Sequence, residues 1–552
     1  MSMKIDETRP IPADIAAWGT VHLLPGSPYR FVGDTLYAQL HAVDWTDLYH
    51  PEGKPALSPV LLALVTIFQH HEHLSDRAAA NAVRTRLDWK YALHLPLHDD
   101  GFDPSVLCEF RQRLIQHAAE ARIFDRVVTG IQEQGLFRPR GRQRTDSTHV
   151  LAVVRSLNRL ETVGETLRLA LNTLAEVAPD WLLDRLQLEW AQRYGARFDE
   201  GRLPESQPKR QELALQIGQD GFAILHALDD PATPPVLHDL PAMTTLRQVW
   251  KQQYDRCDGH LHWRDPKSLP SATTAINSPH DPEARYSSKR STIWVGYRVH
   301  LTESCDDHYP RIVTNVELTP APIADTTMTA TIHAHLADAE RLPATHLVDA
   351  GYIDAEHLVA STDDYQIDLL GPVPIDPSWQ SRNGTGFGAA AFQIDWATHV
   401  ATCPQGQQSS MWRLEHDTNR NPTTHIEFAA SICQSCPVRP DCTKSTKRGR
   451  QLNIRREAAH TALQAARLRQ TTAAFKTQYA QRSGIEGTIS YAVRMEGMRR
   501  SRYRGLAKTR LQELFLATAL NVTRVSAWLA GKRPVVPKAP ALVRLARMAN
   551  TA

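Results

Sequence analysis

The sequence is short of the features that would place it at once. Seven cysteines among 552 residues, with no leader-like apolar stretch in the opening MSMKIDETRPIPADIAAW, argue against a disulfide-stapled secreted framework. The longest apolar run, Val60 to Phe68, is far too short to span a bilayer, so a soluble, cytoplasmic chain with no membrane partner is expected. Charge of one sign is missing too. A net +3 on this length neither demands nor excludes a polyanionic partner, which must be read from where the charge sits. There is no internal repeat and no low-complexity tract. His70, His71, Glu72 and His73 lack the histidine spacing of a helical metalloprotease motif and read as a polar helix end. Gly384, Gly386 and Gly388 do not make G-x-G-x-x-G and read as a loop.

What is present is enough chain for two or three packed units. Residues 57–137 carry helix starts at Ser58-Pro59, Ser75-Asp76 and Asp103-Pro104, so a helical N-terminal domain over 1–140 is expected. On its third helix Leu107, Phe110 and Leu114 keep core spacing, with Arg111 and Arg113 as solvated arginines. From Arg144 the run TDSTHVLAVV reads as a strand, followed by a helical insertion over 156–255 with leucines at 167, 169, 171 and 174. STIWVGYRVHLTE and RIVTNVELTP read as a hairpin, Asp325 to Leu336 as a helix, and ATHLVDAGY and YQIDLLGPV as further strands. These alternations predict an α/β core over 141–530 interrupted by insertions, one of them a cysteine-rich lobe at 374–450. The chain reads as helical again from about 453 to 530 and ends in a basic tail at 531–552.

Three kinds of residue carry chemistry. Asp146, Asp349 and Glu486 are ordinary one by one, and separations of 203 and 137 residues mean that only a fold can bring them together; otherwise each is a surface carboxylate or a cap. Between Arg494 and Arg510, seven cations (Arg494, Arg499, Arg500, Arg502, Arg504, Lys508 and Arg510) face one acid, Glu496, with Tyr503 among them. Such a run grips a polyanion, or is a solvated helix face. Cys403, Cys433, Cys436 and Cys442 are spaced C-x29-C-x2-C-x5-C, which suits a tetrahedral structural Zn2+, with reduced thiols as the alternative and His425 able to replace a ligand. Asp281 and Asp325 read as caps or salt-bridge partners that could also support a site.

Phrases spread in order along nearly the whole chain point one way: DLYHPEGKPALSP, FRQRL, TDSTHV, SPHDPEARYSSKR with WVGYRVHLTESCD, HLVDAGYIDA, CPQG, CQSCPVRPDC and YAQRSGIEGTISYAVRMEGMRRSRYRGLAKTRLQ. In these the sequence resembles DDE transposases of bacterial insertion sequences, in particular a group with a four-cysteine insert ahead of its catalytic glutamate. The resemblance implies an RNase H-like catalytic core with helical and zinc-lobe insertions after an all-helical DNA-binding domain. In that core the first Asp sits on a central strand, the second follows a neighbouring strand and the Glu comes from a helix. It makes Asp146, Asp349 and Glu486 the candidate ligands of two Mg2+ (or Mn2+) ions. Tyr479, Arg482 and Glu486 fit the family's Y-x2-R-x3-E signature, whose steps of three and four would put all three on one helical face toward DNA. The lysine that often follows seven residues after the glutamate is Val493 here, beside Arg494. The expected partners are double-stranded DNA, as terminal inverted repeats and target, and a second copy of the chain in the synaptic complex, within a nucleoid-associated setting. Two alternatives stay open: a regulator of transposase descent without catalysis, and a stand-alone nuclease of the same fold.

Overall fold

The computed structural model describes residues 2, 8–155, 157–198, 203–271, 273–289, 291–382, 386–418, 420–533 and 541–543. Most of the basic tail, and Gly384 of the glycine loop, lie outside these residues. The chain divides into two units, one comprising Met1–Arg138, His308–Val313 and Leu514–Ala552, the other Pro139–Asp307 and Thr314–Glu513.

The first unit is helical. Pro59–His71 and Asp76–Thr85 begin where Ser58 accepts from the Leu61 N–H and Ser75 from the Ala78 N–H, caps that contribute about 1 kcal/mol each. Helices also precede this region, starting at Ala13–His22, where apolar residues are scattered around the helix and only Ile15 and Gly19 are buried, so no stripe announces it. Leu107, Phe110 and Leu114 of Ser105–Gln116 are fully buried. Arg111 corrects the solvated reading: it is buried, with Nη2 2.7 Å from Asp76 Oδ2 and Nη1 3.2 Å from Gln69 Oε1. A polar residue on the edge of a core stripe can turn inward when a partner waits there.

The second unit is mixed α/β around a curled six-stranded sheet. Its strands are β1 (Arg142–Leu151), β2 (Arg285–Lys289), β3 (Thr292–Ser304), β4 (Val313–Pro320), β5 (Thr345–Leu347) and β6 (Asp368–Leu370). The order is β2-β3-β1-β5-β6, with β4 also pairing with β3. β1 runs antiparallel to β3 from Gln143↔Ser304 to Leu151↔Gly296 and parallel to β5, which runs parallel to β6. From Tyr297 onward β3 is buried almost without alternation, the pattern of a strand whose two faces are both covered.

Between β1 and β2 the chain forms a helical subassembly with its own core, in which Leu167, Leu171, Leu174, Ile217, Leu246 and Trp250 are buried. Asn158 and Glu161 close a capping box at the start of Arg159–Val177. After β6, a lobe of short strands includes the three-stranded sheet Met411–His416, Pro422–Glu427 and Gln451–Arg455. The late helical region is less continuous than the sequence suggests: α1 (Gly484–Met495) and α2 (Leu506–Leu529) are separated by a connection. Gly497 there has φ 68°, and the Met498 N–H turns back to the Ala492 carbonyl, which ends the helix. Among the described residues no helix is long and apolar enough to cross a membrane.

Candidate active site

An opening along one edge of β1 creates the site. β5 pairs with β1 only as far as Leu347 opposite Arg144, while β1 continues to Leu151, where Arg500 forms an isolated parallel bridge. Between these points Asp146 projects from the central strand. Asp349 lies two residues beyond the end of β5, and Glu486 in the first turn of α1. In an open parallel sheet, ligands gather where strands end and their neighbours continue.

One side chain joins the three acids. Arg482 places Nη2 2.7 Å from Asp146 Oδ2 and 3.6 Å from Asp349 Oδ2, and Nη1 2.9 Å from Glu486 Oε1. Arg482 is only 12% exposed, whereas Glu486 is 63% exposed, so the group is closed on the sheet side and open beyond the glutamate. Its Nε, buried, has no hydrogen-bond partner among the described residues. The guanidinium is thus a cation held by three carboxylates, and a donor set that binds one cation in this way suits a hard divalent one. Among the described residues no three His, Cys, Asp or Glu side chains are arranged to hold a metal ion as they stand, and here the arginine occupies the centre.

The surroundings tune these acids. Burial raises the Asp146 pKa, against the pull of Arg482 and the Ser147 N–H, and the neighbouring Asp349 raises it further. Asp349 Oδ1 accepts from the Gly351 N–H at 2.8 Å. A Cβ on Gly351 would lie 2.9 Å from that oxygen and 3.2 Å from Asp325 Oδ2, so glycine lets two carboxylates approach the same turn. Asp325 is tied by Arg298 Nη1 at 2.8 Å and the Ser147 hydroxyl at 3.2 Å. The salt-bridge reading of Asp325 therefore describes its contacts, and its position is beside the site. Behind it, His300 is held neutral by burial, its pKa lowered to about 4, and shares a 2.6 Å hydrogen bond with the Tyr352 hydroxyl. Asp281 accepts from the Tyr297 hydroxyl at 2.6 Å, inside the core.

Tyr479 does not share a regular helical face with Arg482 and Glu486. It ends the helix Ala473–Tyr479, a 3-10 turn spans Ala480–Ser483, and only then does α1 begin. The tyrosine stacks on Phe475 at 5.4 Å and is half-buried. Arg482 likewise faces the acids rather than solvent. Of the basic run, Arg494, Arg500, Arg502, Arg504 and Lys508 are exposed, and Arg499, Tyr503 and Arg510 partly so. Arg499 to Arg504 lie in the connection after α1, not on a helix face. Arg499 reaches the site strand, its Nε donating to Thr148 Oγ1 at 2.9 Å, two residues along β1 from Asp146.

The four lobe cysteines, Cys403 well before the close group Cys433, Cys436 and Cys442, line one cavity of about 30 Å³ with Phe428 and Arg450. Burial pushes the Cys442 thiol up to about 11, and the other three sulfurs add to the effect against Arg450. Four sulfurs facing one space suit a tetrahedral soft-donor site, although they are not arranged to hold a metal as they stand. His425 hydrogen-bonds Asn453 at 2.6 Å on the adjacent strand and does not line the cavity.

Sequence reading missed the pair beneath the site, Arg144 and Glu303. Arg144 Nη2 lies 2.6 Å from Glu303 Oε1, with both side chains almost completely buried. A lone charge inside an apolar strand gives no periodic signal, and only β-pairing, which sets Arg144 opposite Glu303, brings them together.

Compared with known families, residues 402–526 match the one described as Transposase DDE domain, and residues 22–113 match Transposase domain (DUF772). The first match includes Glu486 and the four cysteines and leaves Asp146 and Asp349 outside. No curated protein and no solved structure matches the chain.

Proposed function

The chain belongs to the DDE-type insertion-sequence transposases, and from that premise we propose that it cuts DNA at the ends of its element and joins them to a target, using divalent metal at Asp146, Asp349 and Glu486. The observation that carries this reading is the convergence of all three carboxylates on the Arg482 guanidinium. Such a domain implies phosphodiester cleavage, and transposases of this type generally use divalent ions. The placement of the acids, on a central strand, after its neighbour and on a helix, supports an RNase H-like core.

Mg2+ held by these carboxylates would activate the attacking hydroxyl and stabilise the leaving oxygen of an in-line displacement. The chain's own residues prepare that chemistry. β1 and the end of β5 fix the two aspartates beside each other, and α1 brings Glu486 from the open side. Arg482 must leave the carboxylates before they can take metal, and once released it is placed to hold the DNA phosphate being cut. Tyr479 stands at the start of the same segment. The exposed cations Arg494, Arg500, Arg502, Arg504 and Lys508, with Arg499 and Tyr503, supply a surface for the DNA backbone next to the site.

The helical domain over 1–140 and the basic tail at 531–552 complete a DNA-binding reading, and joining two ends calls for two copies. In the lobe, Cys403, Cys433, Cys436 and Cys442 would hold a structural Zn2+ that organises 374–450 and takes no part in cutting. Metal analysis of a Cys433→Ser, Cys436→Ser variant tests this: zinc content falls if the site is real, and unchanged content refutes it. The functional reading is tested with labelled element ends plus target DNA. Mg2+-dependent nicking followed by joined products is expected. Cleavage without joining would mark a nuclease, and binding without cleavage a regulator.

A further inference from the structure

Beneath the three acids lies a buried ion pair whose contacts run to both sides of the glutamate. Arg144 is two residues before Asp146 on β1, and Glu303 faces it across the ladder on β3. Arg144 directs Nε and Nη2 to Glu303 Oε1 at 2.8 and 2.6 Å and Nη1 to the Gln481 carbonyl at 2.5 Å. The Glu303 side chain has no exposed surface, and its other oxygen accepts from the Thr488 hydroxyl at 2.7 Å. Gly484 closes the arrangement: a Cβ there would stand 2.1 Å from Arg144 Nη1, so the helix start rests on the guanidinium. Gln481 is the residue before Arg482, and Gly484 and Thr488 flank Glu486 at two residues on either side.

We propose that Arg144 and Glu303, acting through Gly484 and Thr488, are positioning residues that set the distance between Glu486 on its helix and Asp146 on its strand. Neither touches the reacting atoms. Their bonds to Gln481 and Thr488, and the close approach at Gly484, fix the segment 481–488 against the strand that carries the first aspartate. Glu486 itself is mostly solvent-facing, so its position is set by how its helix is held: by Ile485, Ile489 and Ala492 buried on the inner face and by these bonds to the strand pair. Loss of a group that hydrogen-bonds a metal ligand directly typically weakens metal binding roughly 10- to 100-fold, and a pair that acts one step removed, through the helix, belongs at the lower end of that range. The inference rests on the metal-dependent reading of the three acids.

The test is Mn2+ binding to the full-length protein without DNA, followed by electron paramagnetic resonance, alongside thermal unfolding. Thr488→Val removes the hydroxyl while keeping its volume, and Thr488→Ser keeps the hydroxyl. Asp146→Asn and Asp349→Asn serve as reference variants. Expected are a roughly tenfold weaker Mn2+ affinity in Thr488→Val at temperatures where it is fully folded, near-native affinity in Thr488→Ser, and loss of binding in both aspartate variants. Native affinity in Thr488→Val, with binding lost in the aspartate variants, would overturn the positioning role and leave the metal site standing. Native affinity in the aspartate variants would overturn the metal site and the inference with it. Glu303→Gln provides a second check, with weakened binding expected if the variant folds.

Discussion

Asp146 keeps its carboxylate beside Arg482, and Arg144 keeps its guanidinium beside Glu303, but the two pairs have different roles. The first, 12% and 14% exposed, borders the solvent-facing Glu486; the second, 3% and 0% exposed, is sealed in the sheet. Glu303→Gln should lower stability by about 3 kcal/mol or more in urea unfolding, because it leaves the Arg144 charge without its counterion. Arg482→Gln should act the opposite way on metal: without DNA, Mn2+ binding stays at least as tight as in the native chain, while affinity for DNA ends falls. Weaker metal binding in this variant would show that the arginine supports the acids and does not compete for them. Asp146, Asp349 and Glu486 were candidates in the sequence because each lies in a phrase in which the chain resembles DDE transposases, and of the three Glu486 alone falls within a matched family segment. Arg144 and Glu303 were not, since each looks like an ordinary strand residue until the register of β1 and β3 is known.

Elements with strong local chemistry were the most legible. Ser58-Pro59 and Ser75-Asp76 start helices, and the β3–β4 pair appears where β-branched runs suggested a hairpin. The break after α1 was not, because its glycine turn interrupts a run of good helix formers, and the cations Arg499 to Arg504 therefore sit in a connection. In the helical insertion, Glu165 is fully buried between His280 at 2.8 Å and Arg168 at 2.7 Å. Burial would push its pKa up, yet hydrogen bonds from His280, Arg168 and the Phe198 N–H outweigh it and bring it from 4.5 down to about 2. A depressed carboxylate stabilises the fold above its unfolded pKa and loses that contribution as pH falls toward the folded value. The difference is worth roughly 3 kcal/mol. Stability measured between pH 5 and pH 2 should therefore fall less steeply in Glu165→Gln than in the native protein; parallel curves would show that the ion pairs contribute nothing across this window.

For the molecule as a whole, a net charge of +3 gives no general field for a polyanion, so the proposed DNA binding is assigned to local surfaces, the cations after α1 among them. Replacing Arg494, Arg500, Arg502, Arg504 and Lys508 together with alanine should weaken DNA binding across all sequences. It should also flatten the log-affinity against log-salt slope by up to about 4.5, close to 0.9 for each of the five phosphates no longer neutralised. An unchanged slope would place the DNA surface elsewhere. On the proposed function, the three carboxylates gathered on Arg482 form a metal-dependent DNA-cutting and DNA-joining centre. That assignment is tested most directly by assaying Mg2+-dependent cleavage and strand transfer on the element's own ends for the native protein, Asp146→Asn, Asp349→Asn and Glu486→Gln. The native protein should cut and join, and each variant should bind DNA yet do neither. Cutting at native rates by any of the three variants, or no metal-dependent cutting by the native protein, would contradict it.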